Sequence, residues 1–219
     1  MISILLKGYD MKLQTVYNEL KDAKLLGYRN DAIDRLLEKL KNSIIDQDIK
    51  ETTPAVKWNA IKNLLKVSKV KRPALSYIDT SHGDQRFTDA YRLFILKGDD
   101  MILNLDDGFI HDLTKHHGTF PDLNSIIEKA LNNDALIIKR CDELKKLCKV
   151  NDEIVLTLDQ TGASYHLNAS YVLDALNILQ FNNDDKITFH VSSDPSVFKP
   201  IYIKNRNNSI AIIMLIKKD

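Results

Sequence analysis

Residues 168–179 read Asn-Ala-Ser-Tyr-Val-Leu-Asp-Ala-Leu-Asn-Ile-Leu, and this stretch decides the fold. Ser170 is of a residue type that caps the N-termini of helices, and apolar residues recur after it at helical spacing. Three segments with the composition of strands come next, at 186–191, 201–204 and 210–216. The spacing therefore predicts a helix packed on an antiparallel sheet, which is an α+β arrangement. The apolar positions of this helix are Val172, Leu173, Leu176 and Leu179.

The part of the chain before this helix shows a similar order of elements. Residues 136–138 and 153–158 have the composition of strands, and a short helix is predicted after Asp142. Between residues 73 and 105 short apolar runs alternate with turn residues, which predicts further strands. Helix followed by antiparallel strands thus occurs at least twice. The short runs are 75–78, 87–88, 93–96 and 101–103.

Residues 1–49 are predicted to form a helical hairpin. Apolar residues recur at helical spacing after Asp10 and again after Asn30, with charged residues on the other faces. A third helix is predicted after Thr53 and Pro54, because they supply a cap and a first-turn proline. The apolar stripe of this third helix consists of Val56, Ala60, Ile61, Leu64 and Leu65.

The charge and cysteine content exclude several classes of protein. The 31 basic and 30 acidic residues nearly cancel, so any contact with nucleic acid must come from a local patch. Cys141 and Cys148 have neither zinc-ligand spacing nor the number expected of a disulfide scaffold, and they are predicted to be reduced core thiols. No apolar run approaches the roughly 20 residues that span a bilayer, and the first residues lack the pattern of a signal peptide. We therefore expect a cytoplasmic protein without a membrane partner.

The signatures of common enzymes are absent from the sequence. It contains no phosphate-binding Gly-x-x-x-x-Gly-Lys loop, no Gly-x-Gly-x-x-Gly fingerprint and no Gly-x-Ser-x-Gly elbow. A polar loop holds residue types that bind metals, but without a recognisable ligand spacing. We therefore expect no enzymatic activity, no cofactor and no metal site. The loop residues are Asp106, Asp107, His111, Asp112, His116 and His117.

Four segments, in the right order, resemble the second and third domains of the bacterial DNA polymerase III beta subunit, the sliding clamp. Residues 87–93, Phe-Thr-Asp-Ala-Tyr-Arg-Leu, resemble the clamp turn Ala-Thr-Asp-Gly-His-Arg-Leu. Residues 120–127 resemble the Phe-Pro-Asp-Tyr segment that joins the last two clamp domains, and residues 168–179 are similar to the last clamp helix. Residues 212–217 stand where the clamp ends in Val-Met-Pro-Met-Arg-Leu. The resemblance covers about residues 50–219.

The resemblance implies DNA-clamp-like units in which helices pack on antiparallel sheet. After the helical hairpin of residues 1–49, it implies a shortened middle domain at 50–128 and a C-terminal domain at 129–219. About 16 residues separate 103 from 120, too few for the second helix-plus-strand unit of a clamp middle domain. The six-domain ring of a clamp dimer therefore cannot be assumed.

In clamps, a pocket between the middle and last domains accepts short linear motifs of polymerases, loaders and repair proteins. The matching positions here come from three separated segments, and we expect an apolar groove for a Leu or Phe anchor with Arg92 orienting the peptide. Apolar residues at alternate strand positions are more often core, so that alternative stays open. The expected pocket residues are Thr88, Ala90, Tyr91, Arg92, Leu93, Pro121, Ile126, Ile212, Met214, Leu215 and Ile216.

Lysines follow one face of the third helix, opposite its apolar stripe. Lysines so placed could contact phosphates without reading sequence, whereas a solvated helix face is the alternative. A second basic cluster follows residues 136–138. The candidates for contact with double-stranded DNA are Lys62, Lys66, Lys69, Lys71, Arg72, Lys139, Arg140, Lys145, Lys146 and Lys149.

The sequence thus favours a sliding-clamp-like DNA replication accessory protein that binds the linear motifs of replication or repair proteins and contacts DNA non-specifically. The alternative is an interaction module of phage or mobile-element origin that keeps the pocket without the ring and competes with the host clamp for partners. Assembly into a homo-oligomer stays open. The mass in solution separates the two, since a closed oligomer favours the ring and a monomer favours the pocket alone.

Overall fold

The computed structural model of the chain describes residues 13–25, 31–37, 39–40, 43, 53–72, 75, 78–80, 82–102, 121–197 and 199–217. The chain divides into two compact units, Met1–Pro54 and Ala55–Asp219. The predicted boundary between residues 128 and 129 lies within the second unit and stays a prediction. Within the described ranges, no helix is both long enough and apolar enough to cross a membrane.

The first unit contains the two helical segments that the periodicity predicts. Helix α1 spans Leu13–Leu25, and residues 31–37 and 39–40 are also helical. An ion pair between Lys24 and Asp34 joins the two segments. Both side chains are about half exposed, so the pair contributes at most about 1 kcal/mol to stability.

The described part of the second unit contains eight strands in two antiparallel sheets. The larger sheet has the order β1-β2-β8-β7-β6-β3, and β4 pairs with β5 in a smaller sheet. Four helices accompany these strands in the same part of the chain. The strands are β1 (Gln85–Thr88), β2 (Arg92–Leu96), β3 (Ala135–Arg140), β4 (Glu153–Thr157), β5 (Ser164–Asn168), β6 (Lys186–Val191), β7 (Ile201–Lys204) and β8 (Ile210–Ile213), and the helices are α2 (Ala55–Lys71), α3 (Asn124–Leu131), α4 (Cys141–Val150) and α5 (Ala169–Ile178).

Helices cover both faces of the larger sheet, which confirms the predicted α+β class. Helix α5 packs against α2, α4 and the interior strand β8, and α2 also contacts β1. On this side the rings of Phe87 and Phe94 stack with centroids 5.1 Å apart. Helix α3 contacts β6 and β7 and closes a second apolar cluster on the opposite face. That cluster contains Leu93, Ile95, Leu123, Ala130, Tyr202, Ile210 and Ile212.

Two predicted details at helix starts are wrong. Val56 is 61% exposed, although the periodicity places it in the apolar stripe of α2. Its neighbour Lys57 is buried instead, because the ammonium group donates a hydrogen bond to the main-chain oxygen of Asp100 at 2.6 Å. Asn168 rather than Ser170 caps α5, since the Asn168 side-chain oxygen accepts the N–H of Ser170 at 2.9 Å.

The structure also differs from several of the predicted strands. In the segment 75–78, residue 75 is not in a strand, and just beyond the segment an isolated bridge joins Asp79 to Arg86. Residues 101 and 102 are not in a strand, and residue 103 lies outside the described residues. The terminal strand ends at Ile213, and strand β5 was not predicted. A strand needs a hydrogen-bonding partner, and local composition does not specify one.

A buried polar cluster ties the chain after β2 to the turn between β7 and β8. The Asp100 carboxylate accepts hydrogen bonds from the side-chain amides of Asn205 at 2.7 Å and Asn207 at 2.9 Å. Burial by itself would raise the pKa of the Asp100 carboxyl, but three side-chain hydrogen bonds and the charge of Lys57 lower it below its usual value. The ionised carboxylate therefore stabilises the folded state.

Replacing Asp100 with Asn is expected to lower the free energy of unfolding at pH 7 by about 1–3 kcal/mol, because an amide cannot accept both hydrogen bonds. The folded-state pKa of Asp100 lies below its unfolded value, so its contribution is present above a pH of about 3.9. The contribution is lost as the pH falls through the lowered pKa. Urea unfolding of both proteins from pH 7 to pH 3 should show the difference shrink. The exposed Asp99→Asn variant in the same turn is the control, and an equal loss in both variants would contradict this role of Asp100.

Candidate functional site

A groove with a volume of about 490 Å³ opens in the second unit where the β1–β2 turn, the segment before α3 and the end of β8 meet. Its volume lies within the range of roughly 300–1,000 Å³ that is usual for ligand pockets. Nine of the eleven expected pocket residues line it. The full lining is Arg72, Leu75, Thr88, Ala90, Tyr91, Arg92, Leu93, Pro121, Asp122, Leu123, Ile126, Ile212 and Met214.

The floor of the groove is the surface of the core. Leu93 and Ile212 are paired across β2 and β8, and both belong to the apolar cluster under α3. Leu93 is only 3% exposed, so the floor residues are core residues and groove residues at once. Tyr91 and Ile126 are exposed and Met214 is half-buried, so these three form the accessible walls.

The turn between β1 and β2 is fixed by side-chain hydrogen bonds. The hydroxyl of Thr88 donates to the main-chain oxygen of Arg92 at 2.7 Å and accepts the N–H of Ala90 at 3.0 Å. One Asp89 oxygen accepts the N–H groups of Tyr91 and Arg92, each at 3.0 Å. Ala90 has a φ of 79°, which favours glycine, so these hydrogen bonds hold a strained turn. Tyr91 is thereby presented at the tip of the turn.

The guanidinium group of Arg92 is engaged within the protein. Its Nε donates to an oxygen of Asp89 at 2.9 Å, and its Nη1 donates to an oxygen of Asp174. Its central carbon lies 4.3 Å from the centroid of the Tyr171 ring. The expected role of Arg92 in orienting a peptide stays a prediction, and Arg92 helps to shape the groove through these contacts. The sequence could not indicate this, because Asp174 is 82 residues away.

The residues that follow β8 form hydrogen bonds with two different parts of the chain. The N–H of Met214 donates to the main-chain oxygen of Tyr91 at 2.9 Å, which keeps Met214 on the groove. The N–H of Ile216 donates instead to the main-chain oxygen of His166 in β5 at 2.8 Å. Leu215 and Ile216, which were expected in the pocket, therefore lie outside its lining.

Sequence reasoning missed four lining residues. Arg72 was expected to contact DNA, and Leu75, Asp122 and Leu123 were not assigned to the pocket. Asp122 accepts the N–H of Asn124 at 2.9 Å and so helps to begin α3. Asp122 and Leu123 lie within residues 120–127, so the resemblance of that segment to clamps could have indicated them.

The candidate DNA-contacting residues are only partly accessible for that role. Lys62 and Lys66 are exposed on α2, and the side chains of Lys69 and Lys71 lie outside the described residues. In the second basic cluster, Arg140 and Lys146 both form ion pairs with Asp142, whose negative charge offsets part of the positive charge of the cluster.

The three other lysines of that cluster differ in their exposure and contacts. Lys145 donates to the main-chain oxygen of Phe181 at 2.9 Å, whereas Lys149 is exposed and Lys139 is half-buried. The exposed face of α2 is therefore the stronger candidate for contact with phosphates.

Neither cysteine has the character of a nucleophile. Cys141 and Cys148 are both free and buried, as predicted. Burial, with a smaller effect of Cys141, raises the pKa of the Cys148 thiol to about 11. In the part of the chain that the structure describes, no three His, Cys, Asp or Glu side chains lie close enough to hold a metal ion. The polar loop at residues 106–117 lies outside that part.

Comparison with known proteins finds no matching family model and no matching curated protein. Among solved structures, the chain is similar to the Helicobacter pylori beta clamp in complex with diflunisal, with a TM-score of 0.49 and 16% identity over 74% of this chain and 64% of the clamp. The H. pylori beta clamp bound to a DNA ligase peptide has a TM-score of 0.49 and 15% identity, over 74% of this chain and 62% of that one.

A third similar structure is the DNA polymerase III beta subunit of Thermotoga maritima. Its TM-score is 0.45 and its identity 12%, over 73% of this chain and 63% of that one. The chain thus spans less than two thirds of the length of these clamps. At these identities and scores the likeness concerns the fold alone.

Leu93→Asp is expected to destabilise the second unit itself, because it places an unpaired charge in an apolar cluster at a cost of several kcal/mol, about 3–5. Thermal unfolding followed by circular dichroism should show a melting temperature lower by about 10 °C or more. Val155→Asp at an exposed position of β4 is the control and should cost about 1 kcal/mol. If the Leu93→Asp protein had the same melting temperature as the Val155→Asp control, Leu93 would not be part of the cooperative core.

Proposed function

We propose that this chain is a sliding-clamp-like DNA replication accessory protein that binds short linear motifs of partner proteins in the groove. The observation that carries the proposal is the groove itself. Three segments that are far apart in sequence converge on it, and they supply nine of the eleven positions implied by the resemblance to clamps. Replication or repair proteins bearing such motifs are the partners that this proposal names, and such a role is cytoplasmic.

The chemistry of the groove suits an apolar peptide anchor. Leu93 and Ile212 offer an apolar floor for a Leu or Phe side chain, whose burial contributes about 1.5–3 kcal/mol. Met214 is an adaptable wall, and Tyr91 offers aromatic area with little loss of conformational entropy. Two such anchors contribute about 3–6 kcal/mol before the cost of ordering the peptide is subtracted, so we expect a dissociation constant on the order of 0.1 mM or weaker.

A binding role fits the groove better than catalysis. Its described lining holds neither histidine nor cysteine, and the buried Arg92 is already held by two carboxylates. These features leave few groups that could transfer a proton or attack a substrate. We therefore propose that the chain is not an enzyme.

A second candidate is an interaction module of phage or mobile-element origin that competes with the host clamp for the same motifs. It is favoured by one observation, namely that about 16 residues separate 103 from 120, too few for the second helix-plus-strand unit of a clamp middle domain. Every residue lining the groove nevertheless lies within Ala55–Asp219. A ring would add a passage for DNA, whereas the module would act as a monomer.

Ile126→Asp is expected to weaken binding of a clamp-binding-motif peptide at least tenfold, because it places a charge on the apolar wall. Fluorescence polarisation with a labelled peptide that carries Leu and Phe anchors measures this. Leu131→Asp is a matched control, since both residues lie on α3 with similar exposure, 38% and 45%, and only Ile126 lines the groove. Tyr91→Ala should weaken binding about threefold to tenfold by removing an aromatic contact. Absence of binding to the wild type, or equal loss in the two α3 variants, would refute the assignment of the groove.

Weak, non-specific contact with DNA through α2 is part of the proposed function. Lys62 and Lys66 are exposed one turn apart, on the side away from the buried Ile61 and Leu64. Because lysines there would meet only phosphates, binding should fall steeply with salt and ignore base sequence.

The double variant Lys62→Glu/Lys66→Glu is expected to weaken binding to a labelled duplex at low salt and to reduce the log-log salt slope by about 1.8, or about 0.9 for each phosphate that the variant no longer neutralises. Fluorescence anisotropy between 25 and 200 mM salt, roughly the range over which such binding changes, measures both quantities. Lys186→Glu/Lys204→Glu changes the charge equally at exposed strand positions and is the control. Tight binding that is insensitive to salt, or an equal decrease in both double variants, would contradict a role for α2.

A further inference from the structure

Helix α5 reaches the edge of the groove without lining it. None of its residues is among the groove lining, yet Asp174 on α5 accepts a hydrogen bond from Arg92 of the β1–β2 turn. Tyr171, three residues earlier on the same helix, lies under the guanidinium group of Arg92. Residues three apart share a helix face, so one face of α5 contacts the turn through both side chains.

The same face of α5 also contacts the exposed wall of the groove. The rings of Tyr91 and Tyr171 stack with centroids 6.2 Å apart and planes at 28°. Tyr91 is 55% exposed, so part of its side chain is accessible from solvent. The position of this ring therefore depends on Tyr171, and through Arg92 on Asp174.

Arg92 is fixed from two elements at once. Asp89 of its own turn contacts Nε at 2.9 Å, and Asp174 contacts Nη1 from the helix. Burial raises the pKa of the Asp174 carboxyl, an effect that the nearby Arg92 charge only partly offsets. A buried ion pair that costs desolvation is a weak source of stability, but it can select one conformation of the groups it joins.

We propose that Asp174 is a positioning residue for the groove, which holds Arg92 against Tyr171 and thereby fixes the Tyr91 wall for the bound peptide. This inference rests on the proposed peptide-binding function. Asp174 does not touch the ligand, so its contribution to affinity passes through the position of Tyr91. Arg92 then serves as the link between helix and turn, and its replacement by Lys would break the geometry, because the lysine ammonium group lacks the planar fork that reaches both carboxylates while it lies on the Tyr171 ring.

A double-mutant cycle between Asp174→Asn and Tyr91→Ala tests this dependence. Asp174→Asn alone is expected to weaken peptide binding about fivefold, and Tyr91→Ala alone about fivefold. Once Tyr91 is absent, Asp174→Asn should change the affinity by less than about twofold, so that the double variant is far from the roughly 25-fold loss of independent effects. A purely structural role of Asp174 would leave the two effects multiplicative. Polarisation with the labelled Leu- and Phe-bearing peptide on the full chain measures all four proteins.

Two further variants make the outcome decisive. Asp142→Asn removes a similar Asp–Arg contact on α4, away from the groove, and should leave peptide binding unchanged. Asp174→Glu keeps the carboxylate and should retain most of the affinity, and if Asp174→Asn does not fold, Asp174→Ser takes its place in the cycle. Binding by the wild type with multiplicative effects would overturn the positioning role alone. Absence of binding by the wild type would overturn the proposed function and the inference with it.

Discussion

The antiparallel pairing of β2 with β8 is the constraint on which the rest of the second unit depends. It joins the residues around Leu93 to those around Ile212 and so places two distant segments side by side in one sheet. The same pairing sets Met214 against Tyr91 just beyond the strands. Because side chains alternate between faces along a strand, a one-residue slip between β2 and β8 would put Leu93 and Ile212 on opposite faces of the sheet and abolish the groove floor.

Two buried polar clusters fix the two ends of β2 in this arrangement. At its start, Arg92 joins the turn to α5 through Asp174, and after its end, Asp100 joins the chain to the β7–β8 turn through Asn205. Each cluster satisfies its charged group with several hydrogen bonds, which is the condition under which buried charges are tolerated. The strand is thus held in register at both ends by polar contacts, while its middle is held by apolar packing.

The groove takes its floor from the core. The floor residues are nearly inaccessible, so under the proposed function the selectivity for a peptide would come from the accessible walls formed by Tyr91, Ile126 and Met214. A floor that belongs to the cooperative core is rigid, so a ligand does not have to order it on binding. The walls, by contrast, can be changed without unfolding the protein, which is why the proposed function can be tested by substitution there.

The sequence by itself determined the helices α1, α2 and α5 and most of the strands, because these follow from periodicity and capping residues. The three segments that carry the groove were implied by the resemblance of short motifs to those of clamps. Only the tertiary structure decided that Asn168 caps α5, that Lys57 is buried in place of Val56, and that Arg92 is bound to Asp174. In the last two cases the partner atom comes from a distant part of the chain. Local pattern indicates which face of an element is apolar, but the partner of a polar group is fixed only when the sheet brings remote segments within hydrogen-bonding distance.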